Sequence, residues 1–156
     1  MDTPQQMTGF ATKLYKIQYP ISWRLDTSRI MGTELLLFSP LESERDKFSE
    51  NVNVAIQDLG GQNIDLEKYK QITEYQLAEL ATDSQVFESS IAKTDKEHYY
   101  KVSYAMTQGT FRIKITSVCF IKNDKAYLAT FSAEFDKYDR YKNDGEGILR
   151  SFVLIK

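Results

Sequence analysis

A mixed α+β fold is predicted: a mostly antiparallel, twisted sheet of about six to seven strands with helices on both faces. Apolar and polar residues alternate with period two in several separate segments. Turn residues divide the later segments at hairpin spacing. Residues 65–82 break the alternation with helical spacing, and 136–149 read as a weaker helix.

In chain order, residues 1–11 show neither period and are expected to be flexible. From 12 to 19, Tyr15, Ile17 and Tyr19 alternate with Lys16 and Gln18, a strand with one buried face. Pro20 ends it, since proline brings no ladder donor. Glu34 to Phe38 reads as a second strand closed by Pro40, and the charged, aperiodic stretch from Leu41 to Glu50 as a loop. Val52, Val54 and Ile56 alternate with Asn53, Ala55 and Gln57 in a third strand, ended by Gly60 and Gly61. Asp65 stands where its carboxylate can cap a helix running to about Thr82. On that helix Leu66, Tyr69, Thr73, Leu77 and Leu80 form one stripe, away from Glu67, Lys70 and Glu74.

From Val86 onward the chain reads as successive antiparallel strands. Taking Gln108-Gly109 as a two-residue turn sets Met106 opposite Phe111, Tyr104 opposite Ile113 and Val102 opposite Ile115. Around Asn123-Asp124 a three-residue loop is preferred to a two-residue one, because it pairs Ile121 with Tyr127, Cys119 with Ala129 and Ser117 with Phe131. Asp136 would cap a weak helix to Leu149, interrupted by Asn143, Gly145 and Gly147, with two short pieces as the alternative. Ser151 to Ile155 is a terminal extended segment that must bury Phe152.

The 156 residues suffice for one domain, 1–156. Twenty basic and 22 acidic side chains leave a net charge of −2, which supplies no global reason to bind nucleic acid or an anionic membrane. One cysteine excludes an internal disulfide and a thiolate cage; one histidine excludes a multi-histidine metal centre. No apolar run approaches the roughly 20 residues of a spanning helix. The opening stretch lacks the basic and apolar regions of a signal peptide, so Met1 is either a native start or stands where a leader has been removed.

No catalytic, cofactor-binding or metal-binding residue is assigned. The predicted register puts position 98 across from 119, so a His98–Cys119 nucleophile pair is conceivable. Cys119, however, shares a strand face with Ile113, Ile115 and Ile121, where a thiol is an inert small hydrophobe. The acids Glu42, Glu44 and Asp46, and Asp136, Asp139, Asp144 and Glu146, lack the ligand spacing of a calcium loop. Gly60-Gly61 is followed by Gln62-Asn63 rather than by the lysine and hydroxyl of a phosphate loop. Trp23 reads as a packing anchor. From Lys101 to Asn123 no acid occurs, and Lys101, Arg112 and Lys114 form a candidate surface for an acidic protein partner. Nucleic-acid binding through the same residues is the weaker reading in a net-acidic chain.

Several short pieces occur together in order: Tyr19-Pro20 with Trp23, Phe38-Ser39-Pro40, Phe48 with Asn51-Val52-Asn53-Val54, and Asp65-Leu66 with Tyr69. Lys125-Ala126-Tyr127-Leu128 with Thr130-Phe131 and, near the end, Ser151-Phe152 complete the set. In these the chain resembles the PsbP-like family, whose fold is shared with a Ran-binding nuclear import factor and with bacterial lipoproteins. The resemblance implies a sheet with helices on both faces and a non-enzymatic accessory or binding domain engaging another protein, with no cofactor. It also implies a cell-envelope location, exported or held by a lipid anchor upstream, against a cytoplasmic alternative. The activity of the photosynthetic members is not carried over, because only a short segment precedes the first strand; nor is Ran binding. The rival expectation is a small-ligand carrier or enzyme using an aromatic interior of Tyr15, Tyr19, Tyr100, Tyr104 and Phe131.

Overall fold

The computed structural model describes residues 5–43, 48–81, 83–95 and 97–155. Ten strands and two helices follow one another: β1 (Met7–Ala11), β2 (Tyr15–Pro20), β3 (Arg24–Asp26), β4 (Leu35–Phe38) and β5 (Asn51–Asp58) come before α1 (Leu66–Leu80). β6 (Gln85–Lys93), β7 (His98–Gln108), β8 (Phe111–Lys122) and β9 (Lys125–Glu134) precede α2 (Tyr138–Ser151), and β10 (Val153–Leu154) ends the fold. A seven-stranded antiparallel sheet runs in the order β3-β4-β5-β9-β8-β7-β6, and a three-stranded sheet in the order β1-β2-β10. This is the expected α+β class, with one addition: the small second sheet.

That sheet corrects the reading of residues 7–11 as flexible; residues 1–4 lie outside the described residues. Met7–Ala11 is a strand, paired with β2 from Met7 opposite Pro20 to Ala11 opposite Lys16. Its side chains are mostly exposed, so it carries no hydrophobic period to be read; backbone pairing holds it, with Phe10 alone reaching the core beside Tyr15. β3 is similarly short and escaped prediction.

Both hairpin registers differ from expectation, for reasons of turn chemistry. Gln108 pairs with Phe111, so the loop is Gly109-Thr110 and each rung moves by two residues: Tyr104 faces Ile115, and Val102 faces Ser117. Gly109 has φ 61°, as the first central residue of a type II′ turn requires, whereas the expected loop places it second. An even shift leaves every side chain on its predicted face. The second loop is the two-residue Asn123-Asp124, with Ile121 opposite Ala126 and Cys119 opposite Leu128. Both loop residues have positive φ, 53° and 60°, the type I′ geometry that asparagine and aspartate tolerate. The three-residue preference fails because Tyr127 and Phe131 need no partners on the Cys119 face. They point to the other face with Val118 and Phe120, and that face is covered as well.

The two faces have different cores. α2 and the small sheet cover one, burying Tyr15, Ile17, Trp23, Leu35, Val52, Phe131 and Phe152. α1 covers the other, over Tyr100, Val102, Cys119 and Ala126. Asp65 caps α1 as predicted, accepting from the Lys68 N–H at 2.8 Å, and the helix ends at Leu80; Thr82 lies outside the described residues. Asp136 does not cap α2. It sits in a single 3-10 turn, Phe135–Lys137, and α2 starts at Tyr138 with no side-chain cap. Beyond that turn α2 is continuous through both glycines, and Gly145 has a reason to be there. A Cβ at that position would collide with three ring carbons of Phe131, which is wholly buried.

Candidate functional site

A concavity of about 440 Å³ lies where the C-terminal half of α2 and β10 pass over β7 and β8. Strand alternation builds it. Tyr99 on β7 and Val118 and Phe120 on β8 point to the α2 face, and Leu149, Phe152 and Val153 close the groove from the chain's end. Its floor belongs to a run of aromatic rings: Tyr99 to Phe120 at 5.3 Å, Phe120 to Phe152 at 5.8 Å, and Phe152 to Tyr15 at 5.5 Å. Such spacings suit tilted aromatic pairs. The rim is charged with both signs, by Glu97, Lys101, Glu146 and Arg150. Lys101 bridges the wall: its Nζ lies 3.6 Å from Glu88 on β6 and 3.8 Å from Glu146 on α2. Deeper in, the hydroxyls of Ser103, Thr116 and Tyr138 form a buried chain joining β7, β8 and α2. Burial pushes the Tyr138 phenol up to about 12, so it stays neutral.

Of the three basic residues singled out in the sequence, only Lys101 is at this groove. All three point to the same face but stand at different levels of the hairpin and in different company. Lys114 lies over the rings of Tyr138 and Phe87, at 4.3 and 4.7 Å, a cation–π clamp. Arg112 donates to the Asp83 carbonyl at 2.9 Å and pairs with its carboxylate at 3.4 Å. The groove itself was not legible beforehand. Tyr99, Leu149 and Val153 line it because α2 and β10 pass over β7 and β8, contacts between distant parts of the chain that no local pattern encodes.

The shifted register also removes the nucleophile pair. Tyr100, not His98, stands opposite Cys119, and His98 faces Lys93 at the end of β7. Cys119 is 1% exposed, and burial pushes its thiol up to about 12, with the Tyr69 hydroxyl opposing in part. A reactive thiol requires the reverse shift. Among the described residues no three His, Cys, Asp or Glu side chains gather as a metal would need; Glu44 and Asp46 lie outside them. Glu42, Arg140, Tyr141 and Lys137 instead form an ion cluster that fastens the loop after β4 to the start of α2. Nearby Glu50, wholly buried, accepts from the Glu134 N–H at 3.1 Å. Trp23 is buried in the core, as a packing anchor should be. The aromatic interior expected to be one is divided. Tyr15, Tyr19 and Phe131 lie under α2, and Tyr100 and Tyr104 lie under α1.

The family model for PsbP matches residues 6–154. No curated protein matches the sequence significantly. Among solved structures, the PsbP of the cyanobacterium Synechocystis sp. PCC 6803 superposes with a TM-score of 0.70 at 14% identity, over 98% of this chain and 95% of that one. PA94 of Pseudomonas aeruginosa, a putative regulator, gives 0.68 at 7% identity, over 96% and 98%. LpqN of Mycobacterium tuberculosis, involved in cell envelope biogenesis, gives 0.66 at 13% identity, over 99% and 87%. At such identities these neighbours speak to the fold. No helix among the described residues is long and apolar enough to cross a membrane.

Proposed function

The chain belongs to the PsbP family, and on that premise we propose that it is a non-enzymatic accessory domain that holds another protein of the cell envelope through the groove beneath α2. The observation that carries this reading is the groove's make-up: an open aromatic floor inside a rim of mixed charge. Protein interfaces are built this way, with an apolar pocket for an anchor side chain and a polar border that sets orientation. A partner segment would insert a large apolar side chain over Phe120 and place an acidic group near Lys101. Lys101 is the part of the predicted basic surface that this reading uses; Arg112 and Lys114 extend the same face toward the far end of the hairpin. The raised thiol of Cys119 and its distance along the sheet from His98 support a binding role over catalysis. The involvement of LpqN in cell envelope biogenesis supports the location.

Photo-crosslinking in the source cell tests this. A crosslinking amino acid at Tyr99 or Val153 should yield one discrete adduct with an envelope protein, and the same group at Tyr75, exposed on α1, should not. The Lys101→Glu change should reduce the adduct about tenfold. Equal labelling from Tyr75, or no adduct from the groove positions, overturns the reading.

A further inference from the structure

A second concavity, about 200 Å³, lies on the opposite face, between α1 and the sheet. Tyr69 descends from α1, Tyr100 and Tyr104 rise from β7, and Leu128 on β9 helps close the wall. Tyr69 and Tyr100 meet edge to face at 6.3 Å, which leaves ring surface turned toward the space. We infer that this cavity is a binding site for a small neutral phenol, a single aromatic ring bearing a hydroxyl.

Size comes first. An apolar protein cavity of about 150 Å³ takes a benzene ring, so this one has room for a ring with a small substituent. Polarity comes second. No lining residue is ionisable at neutral pH, so a charged ligand would lose its hydration without a counter-charge. Burial raises the tyrosines here and the Cys119 thiol, which keeps them uncharged too.

The third argument concerns hydrogen bonds. Several polar groups at the wall are already satisfied by one another. The Tyr100 hydroxyl pairs with Ser89 at 2.7 Å, and Ser117 with Thr130 at 2.9 Å. The Tyr104 hydroxyl and the Thr73 side chain, both half-buried, and the exposed Gln76 line the same space with no partner among the described residues, so they are open to water or to a ligand. A ligand hydroxyl, which both donates and accepts, can join two of these groups; a hydrocarbon can join none. Access is through α1. Only Leu77 of that helix is buried, and Gln76 stands at the mouth.

Titration of the whole chain with phenol, toluene and benzoate at pH 7, followed by calorimetry and by amide shifts, tests the site. Phenol should bind saturably with shifts centred on Tyr69, Tyr104 and Thr130, and benzoate at least about tenfold more weakly. Tyr104→Phe should weaken phenol about tenfold and leave toluene unchanged. Thr73→Val, which removes a hydroxyl at constant shape, gives a second reading on the helix side should Tyr104→Phe fold poorly. Absence of saturable phenol binding, equal affinity for benzoate, or shifts centred instead on Tyr99 and Leu149 overturns the inference. So does a phenol affinity unchanged in both variants.

Discussion

The two helices are of nearly equal length, 15 and 14 residues, yet they meet the sheet in opposite ways. α2 buries Tyr138, Gly145, Ile148 and Leu149 and comes so close that Phe131 occupies the place of a side chain at Gly145. α1 buries Leu77 alone and leaves Tyr75 67% and Leu80 79% exposed. By propensity the order should be reversed, because α2 carries two glycines and no side-chain cap while α1 has Asp65. The comparison teaches that intrinsic propensity sets how readily a segment is helical, and packing sets how firmly it is held. The firmly held helix walls the groove. The loosely held one roofs the tyrosine cavity.

The largest expected effect breaks the tight side. Gly145→Ala places a methyl inside the Phe131 ring, and both residues are enclosed, so neither can move without displacing Val52 or Tyr138. A loss of about 3 kcal/mol is expected, at the upper end of ordinary overpacking, read as a drop in denaturant midpoint with unchanged slope. The usual Gly-to-Ala gain within a helix has the opposite sign, so a stabilised variant would show that α2 rides higher than described. On α1, Leu77→Ala should cost about 2 kcal/mol, the low end for a buried leucine, since a helix that buries little else can settle into the space. A cost as large as that of Gly145→Ala would mean that the two sides are equally packed.

How far the residues foretold this can be seen in the same two helices. The cap of α1 and its stripe from Leu66 to Leu77 were legible because one polar and one apolar face repeat at helical spacing, but Leu80, set on the same stripe, is exposed at the helix end. Gly145 could be read only as a flaw, because its justification is Phe131, on a different element. Likewise the faces of β7 and β8 were legible from period two, while the register depended on which loop position Gly109 takes, a matter of one backbone angle. Lys101 was singled out by charge. That it would stand at a groove, with Lys114 clamped between two rings and Arg112 tied to Asp83, follows from contacts across the fold.

The smallest expected effect sharpens the comparison at the point where α2 begins without a side-chain cap. There the Glu42 carboxylate accepts from the Tyr141 hydroxyl at 2.7 Å, from Arg140, and lies 3.3 Å from Lys137. These contacts, Tyr141 first, hold its carboxyl down at about 2, against an ordinary 4.5. The folded state therefore favours the charged form. Whatever stability the cluster adds is complete above pH 4.5 and disappears as pH falls toward 2, where the folded state must also take up the proton. Glu42→Gln should melt slightly below the parent at pH 6, with the gap narrowing between pH 4.5 and 2 and reduced by salt, since the cluster is open to solvent. If the gap persisted undiminished at pH 2, the loop would be held to α2 by packing rather than by charge, and the start of α2 would belong with its tightly packed interior.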